Sequence, residues 1–198
     1  MMIFCKTYDN IPLCDKEILR YAQCGDANEE ILSALSSCKS EALASISYKV
    51  CYCELPVTTD GDLCDFGVFS VNSKNLAKNL RECNRAIVFA ASIGIEMDRL
   101  IAKYSKLSPT KALLFGAIGS ERVESLCDTF CQDIAKEYRA SAMPRFSPGY
   151  GDLELDTQKD IFSLLDCQRR IGVTLNDSLL MSPSKSVTAF VGIKQSTN

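Results

Sequence analysis

Residues 86–91 read Ala-Ile-Val-Phe-Ala-Ala, which is an almost unbroken apolar run. A short continuous run of this kind is typical of a strand that is buried on both of its faces. Gly94 follows soon afterwards and is expected to break the strand. The rest of the chain must therefore cover this strand from two sides, and the run predicts a sheet with packed layers on both faces.

The apolar periodicity elsewhere alternates between the helical and the extended type. We find no internal repeat and no linker, and the pattern predicts one α+β domain over residues 1–198, with a helical N-terminal part at about 11–47 and a core at about 48–193. The predicted helices are 15–21, 28–45, 73–83, 95–106, a long helix from 108, and 157–170. The predicted strands are 48–57, 66–71, 85–92, 173–175 and 187–193.

The chain contains no histidine, and this excludes several classes of chemistry. A Ser-His-Asp triad, a Cys-His nucleophile pair and a histidine-ligated metal all need an imidazole, as does the usual axial ligation of cobalt or haem iron. The net charge of −3 also argues against nucleic-acid binding, which depends on a basic surface. Carboxylates, cationic side chains, hydroxyls and thiols are left for function.

The eleven cysteines constrain the cellular compartment. The N-terminus has no signal-peptide pattern, and the longest apolar stretch is far shorter than the ~20 residues of a membrane helix. We therefore expect a cytoplasmic protein whose thiols are reduced and lie mostly in the core. Cys51 and Cys53 would share one strand face, and Cys127 and Cys131 one helix face, so a thiol-based metal or redox site remains an alternative.

Two segments that contain several glycines, residues 116–120 and 144–152, bear on ligand binding. No phosphate-binding loop or dinucleotide fingerprint occurs, and the glycines of residues 116–120 indicate close helix packing. The loop 144–152 is more informative, because Arg145 offers a planar fork for a carboxylate and Tyr150 offers a flat ring. Pro148 and Gly149 predict a tight turn whose following amides face outward. Lys185, in a turn further along, is a weaker candidate as a binding cation.

Three motifs together resemble the activation domain of the cobalamin-dependent methionine synthase family. Arg145, Gly149 and Tyr150 match its Arg-x-x-x-Gly-Tyr motif. Residues 172–183 match its Gly-x-x-Leu-x-x-Ser-x-x-Met-x-Pro segment, and Ser186-Val187 resembles its closing strand. The specific match extends over about residues 86–193, and the combination is more specific than any of its parts.

The resemblance implies an α+β fold with a twisted, mainly antiparallel sheet and flanking helices. It also implies a binding site for S-adenosylmethionine on a module that docks on a cobalamin protein and supports reductive methylation of cob(II)alamin with a flavodoxin-type electron donor. The resemblance assigns ligand contacts to the loop residues Arg145, Ser147, Pro148, Gly149 and Tyr150. Acidic candidates for the charge near the sulfonium are Glu96, Asp98, Glu124 and Asp152.

The chain matches only the activation module of that family. We therefore expect an accessory protein with no catalytic or metal-ligating residues of its own, acting on a separate methionine synthase or another corrinoid protein that supplies the cobalamin. Two alternatives stay open beside the cysteine-based metal or redox protein: use of S-adenosylmethionine as a ligand, or docking on a corrinoid protein without it. Binding to nucleic acid or to a membrane is not expected.

Overall fold

The computed structural model describes residues 1–195. Its helices are α1 (Asp15–Tyr21), α2 (Glu29–Leu43), α3 (Lys74–Leu80), α4 (Glu96–Leu107), α5 (Pro109–Tyr138), α6 (Gln158–Leu165) and α7 (Cys167–Ile171). Its strands are β1 (Ile3–Tyr8), β2 (Tyr48–Pro56), β3 (Thr58–Asp60), β4 (Leu63–Asp65), β5 (Ser70–Asn72), β6 (Arg85–Ser92), β7 (Ala140–Ala142), β8 (Thr174–Leu175), β9 (Met181–Ser182) and β10 (Ser186–Gln195).

The main sheet of the described residues has the strand order β1-β2-β6-β10-β7, and every neighbouring pair is antiparallel. The apolar run 86–91 is the middle of the central strand, β6. Phe89 lies opposite Tyr52 on one side and Ala189 on the other. The predicted mainly antiparallel α+β sheet with flanking helices is confirmed.

Layers cover both faces of the sheet, as the apolar run requires. On one face, Phe89 packs against Phe130 of α5 with a ring-centroid distance of 4.8 Å, and α1, α2 and α4 join the same core. On the other face, Val88 and Phe190 pack against α3, α6, α7 and the small sheet of β3, β4 and β5. Because layers cover both faces of the sheet, all six residues from 86 to 91 are buried.

Three local features of the fold differ from the predictions. Strand β1 was not predicted, because its alternation is weak and half of its residues are exposed. Of the predicted strand 66–71, residues 66–69 form a bend between β4 and β5, with Phe66 and Phe69 stacked at 5.1 Å, and the strand β5 begins only at Ser70. The predicted helix 157–170 is interrupted at Asp166, whose φ of 50° is left-handed and ends α6.

A buried ion pair anchors the long helix α5 to the N-terminal segment. The guanidinium of Arg122, which is fully buried, donates to Glu121 Oε2 at 2.6 Å, to the Ile11 carbonyl at 3.0 Å and to the Pro12 carbonyl. Glu121 in turn accepts from the Cys14 amide at 3.0 Å. The network satisfies both charges away from water, which a buried pair requires. Although α5 is long, no helix within residues 1–195 has the length and apolar character to cross a membrane.

We predict that Arg122→Ala lowers the free energy of unfolding by about 3–5 kcal/mol, because it leaves Glu121 as a buried charge without its cation. Urea denaturation measures this directly. Arg20→Ala is the matched control, since Arg20 pairs with Glu17 on the exposed surface and its loss is expected to change the free energy of unfolding little. Equal losses in the two variants would contradict a structural role for the buried pair.

Candidate functional site

The segment carrying the Arg-x-x-x-Gly-Tyr motif runs along the β10 edge of the main sheet. The Met143 amide donates to the Gly192 carbonyl at 2.8 Å, and Phe146 and Phe190 exchange two backbone hydrogen bonds of 2.8 and 3.0 Å. Successive side chains of an extended segment point to opposite faces. Phe146 accordingly enters the core on the α3 side, and the side chain of Arg145 lies against α5.

Arg145 is held by two carboxylates that lie one turn apart on α5. One terminal nitrogen of its guanidinium donates to Asp128 Oδ1 at 2.6 Å and the other donates to Glu124 Oε2 at 2.8 Å. The Arg145 side chain is 21% exposed, whereas those of Glu124 and Asp128 are 44% and 66% exposed. Partial burial disfavours the cation, but the adjoining thiols and carboxylates outweigh this and raise the pKa of Arg145. The three side chains form a charged cluster that remains accessible to solvent.

A groove of about 620 Å³ opens beside this cluster. Its walls come from the C-terminal half of α5 and from the edge segment, and they are lined by Asp128, Cys131, Gln132, Ala135, Ala142, Met143, Pro144 and Arg145. Burial raises the pKa of the Cys131 thiol to about 11, although the nearby guanidinium favours the thiolate. The thiol is therefore protonated at neutral pH, and the charged groups of the groove are Arg145 and Asp128. Its volume lies within the range of small-molecule sites.

The turn after Arg145 has the geometry that its Pro-Gly sequence predicts. The Tyr150 amide donates to the Ser147 carbonyl at 3.1 Å, and Gly149 has a φ of +85°, as the third residue of a type II turn does. The Gly149 amide donates to the Leu153 carbonyl at 2.8 Å, which closes the loop. The expectation that the amide after Gly149 faces outward was wrong, because the Tyr150 amide closes the turn.

Tyr150 presents its ring at the surface beside this turn. Its ring meets Phe146 edge to face at 5.6 Å between centroids, and the residue is 69% exposed. An exposed aromatic ring anchored at one edge offers a flat surface to a ligand or a partner. Pro148, by contrast, is buried, and Ser147 contributes its carbonyl to the turn. Arg145 and Tyr150 therefore contact different parts of the surrounding structure, α5 and Phe146 respectively.

The acidic candidates differ in what they contact. Glu124 faces Arg145, whereas Asp152 accepts from Ser73 Oγ at 2.5 Å and from the Lys74 amide at 2.8 Å, at the start of α3. The Ser73 hydroxyl lowers the pKa of Asp152, so this carboxylate is held charged by the structure around it.

The other two acidic candidates lie on α4. Asp98 accepts from the Ser184 amide at 2.8 Å and Glu96 pairs with Arg99, so neither makes a hydrogen bond to the Arg145 loop. Asp128, the second carboxylate that pairs with Arg145, was not among the predicted candidates. Its signal in the sequence is its spacing of four from Glu124 on one helix face.

The remaining sequence motifs have structural surroundings. A Cβ at Gly119 would lie 2.8 Å from Met97 and 3.0 Å from Lys185, so the glycine allows close packing, as predicted. Lys185 is half-buried and donates to Ser120 Oγ at 2.9 Å, and burial lowers the pKa of its ammonium. This contact gives Lys185 a packing role against α5, away from the Arg145 loop.

The cysteines are mostly core residues, as predicted. Seven of the eleven are buried, including Cys51 and Cys53, which share the sheet face toward α3, α6 and α7. Burial raises the pKa of the Cys53 thiol to about 11. Among residues 1–195, no three metal-ligating side chains are grouped so as to hold an ion.

Comparison with known proteins defines the family. The family model described as the activation domain of vitamin B12 dependent methionine synthase matches residues 77–198. Since this match covers more than half of the chain, the protein belongs to that family. The fold is similar to the crystal structure of the MetH reactivation domain bound to AdoHcy, with a TM-score of 0.74 and 12% identity over 100% of this chain and 80% of that one. A search of curated proteins finds no match.

We predict that Gly149→Ala distorts the loop. The φ of +85° costs a non-glycine residue about 1–2 kcal/mol, and the new Cβ would lie 3.1 Å from Leu155 Cδ1. Thermal denaturation is expected to show a loss of that size. Gly25→Ala is the matched control, because no atom lies within 4 Å of its Cβ position. Equal losses of thermal stability in the two variants would contradict the assigned turn.

Proposed function

We propose that the protein is a reactivation module that binds S-adenosylmethionine through the cluster of Arg145, Glu124 and Asp128. It would dock on a cobalamin-dependent methionine synthase or another corrinoid protein in the cytoplasm. S-adenosylmethionine then supplies the methyl group to the cobalamin of the partner, once a flavodoxin-type donor has delivered one electron. The family membership supports this role, and so does the AdoHcy ligand of the similar MetH domain.

The observation that carries the proposal is the pairing of one cation with two carboxylates at the mouth of a groove. The methionine end of S-adenosylmethionine is a zwitterion, with a carboxylate and an ammonium on one carbon. Its carboxylate suits the fork of Arg145 bidentately, and its ammonium suits the carboxylates that Arg145 would release. Binding would thus exchange ion pairs within the protein for ion pairs with the ligand, and no buried charge would be left without a partner.

The charge count of this cluster favours the sulfonium form of the ligand. One guanidinium and two carboxylates carry a net charge of about −1 at neutral pH, when all three are ionised. S-adenosylmethionine carries a net charge of +1 because of its sulfonium, and AdoHcy is neutral overall. The cluster is therefore complementary to the methyl donor, and release of the product is favoured after the methyl group has left.

The turn residues suit the rest of the ligand and the partner. We assign the adenosine portion to the loop of Ser147, Pro148, Gly149 and Tyr150, where the exposed ring can stack on a base. Leu155 lies against Gly149 and is 38% exposed, so it extends the apolar surface of Tyr150. An apolar surface next to a methyl donor is where a corrinoid-bearing partner has to approach, since the methyl group has to reach cobalt directly.

Calorimetric titration of the protein with S-adenosylmethionine tests the proposal. We predict that Arg145→Ala weakens binding by about 1.5–3 kcal/mol, because it removes a charged hydrogen-bond partner of the ligand carboxylate. The matched control is Arg169→Ala, whose exposed guanidinium pairs only with the neighbouring Asp166. Unchanged affinity in the Arg145 variant would remove this residue from the site.

If the protein alone does not bind S-adenosylmethionine, the titration is repeated with a cobalamin-loaded corrinoid protein present. Binding that appears only then indicates a site completed by the partner. Docking without any S-adenosylmethionine binding would contradict the proposal and support the alternative of an interaction module. Metal analysis of anaerobically purified protein tests the cysteine-based alternative, which requires a stoichiometric metal.

We predict that Asp128→Asn weakens S-adenosylmethionine binding more than AdoHcy binding, because it removes the surplus negative charge that complements the sulfonium. The expected loss is about twofold to fivefold for the methyl donor, as for a largely exposed charge pair. Parallel titrations with the two ligands measure the ratio of their affinities. Glu30→Gln, an exposed carboxylate of α2, is the control. An unchanged ratio in the Asp128 variant would contradict the charge argument.

A further inference from the structure

A second pocket lies on the opposite side of the sheet from α5, between helix α3 and the β3–β4 hairpin. Its volume is about 380 Å³, which is within the range of pockets that bind small molecules. The pocket is lined by Thr59, Gly61, Asp62, Lys74, Ala77, Lys78 and Arg81. Ala77 is buried and forms part of the floor, and the three cationic residues surround it along the helix.

The cations of this pocket are arranged on one helical face. Lys74, Lys78 and Arg81 follow the spacing i, i+4 and i+7, which places them on the same side of α3 and its C-terminal cap. Within residues 1–195, none of the three makes an ion pair. Asp62 is the acidic residue of the lining, so the pocket carries a net charge of about +2 at neutral pH.

This local charge contrasts with the rest of the protein. The chain as a whole carries a net charge of −3, and 12 of its 22 lysine and arginine side chains lie in ion pairs. Three unpaired cations at one concave site repel one another unless an anion lies between them. Asp62 balances one of these three charges, so the pocket keeps an excess of positive charge, and this excess predicts an anionic ligand.

We infer that this pocket binds the phosphate group of a phosphorylated small molecule. A phosphomonoester carries about −1.5 to −2 charges at pH 7, which matches the charge of the pocket. Arg81 offers a planar fork for two phosphate oxygens, and Lys74 and Lys78 act as point charges on either side. The Thr59 hydroxyl is a further donor. At Gly61 the space around the Cβ position is open, so a ligand can approach the backbone of the hairpin turn.

The shape of the site favours a small molecule over an acidic protein surface. The cations line a concave volume between a helix and a hairpin, whereas a docking face for a protein is commonly wider and flatter. The pocket is also separate from the proposed S-adenosylmethionine site, because Arg145 faces α5 and α3 packs on the other face of the sheet. The inference therefore stands or fails independently of the proposed function.

Titration of the purified protein at low ionic strength tests the inference. The probes are ribose 5-phosphate, ribose, inorganic phosphate, pyrophosphate and poly-glutamate. Binding is measured by calorimetry or by the shifts of backbone amide signals in NMR. We expect ribose 5-phosphate to bind more tightly than inorganic phosphate, and ribose alone not to bind. Lys78→Ala and Arg81→Ala are each expected to weaken binding about threefold, and the double variant about tenfold, since these are exposed charges.

Lys106→Ala is the matched control, because Lys106 is an exposed lysine at the end of α4 outside the pocket. Amide shifts confined to residues of α3 and the β3–β4 hairpin would support the inference, and circular dichroism of each variant confirms that it is folded. Equal weakening in the Lys106 variant would overturn it, since the binding would then be non-specific. Binding of poly-glutamate but of no phosphate compound would also overturn it, in favour of an acidic protein partner.

Discussion

The position of α5 depends on the buried guanidinium of Arg122. This one side chain connects the helix to the carbonyls of Ile11 and Pro12 and lies 3.3 Å from the Tyr48 hydroxyl at the start of β2. Because the guanidinium and its hydrogen bonds to Ile11 and Tyr48 are buried, a shift of α5 would leave polar atoms without partners. Glu124 and Asp128 follow Arg122 by two and six residues on the same helix, so the network that anchors α5 also sets where these two carboxylates lie.

Arg145 links this anchored helix to the edge of the sheet. The backbone of its segment pairs with β10 through Phe146, and its side chain pairs with α5 through Glu124 and Asp128. These ion pairs hold the cluster together and orient the guanidinium of Arg145 toward the groove. In the proposed function a zwitterionic ligand would exchange these ion pairs for its own, so the contacts that stabilise the edge segment would also prepare the site.

The sequence predicts those parts of the fold that depend on local patterns. The central strand, the long helix from Pro109 and the Pro-Gly turn each have a strong local signal, in burial, periodicity and turn chemistry respectively. Strand β1 was not predicted because its place at the sheet edge depends on pairing with residues of β2 that are forty to fifty positions away in the chain. The break at Asp166 escaped prediction because the apolar periodicity continues through α7, although the backbone does not.

The candidate site could likewise be predicted only where its residues are neighbours in the sequence. The loop residues from Arg145 to Tyr150 were found through their motif, since it is contiguous in the chain. Asp128 was not found, because its role depends on a contact across seventeen residues of chain. Among the acidic candidates, Asp152 and Asp98 could be distinguished from Glu124 only by the groups they contact in three dimensions, which were the start of α3 and the Ser184 turn.

The most direct test of the central claim is a crystal structure of this protein with bound S-adenosylmethionine. Our account predicts that the ligand carboxylate lies on the guanidinium of Arg145 and that its ammonium lies between Glu124 and Asp128. It also predicts that the adenosine lies toward Tyr150. A ligand bound elsewhere, with both ion pairs of Arg145 unchanged, would contradict the account.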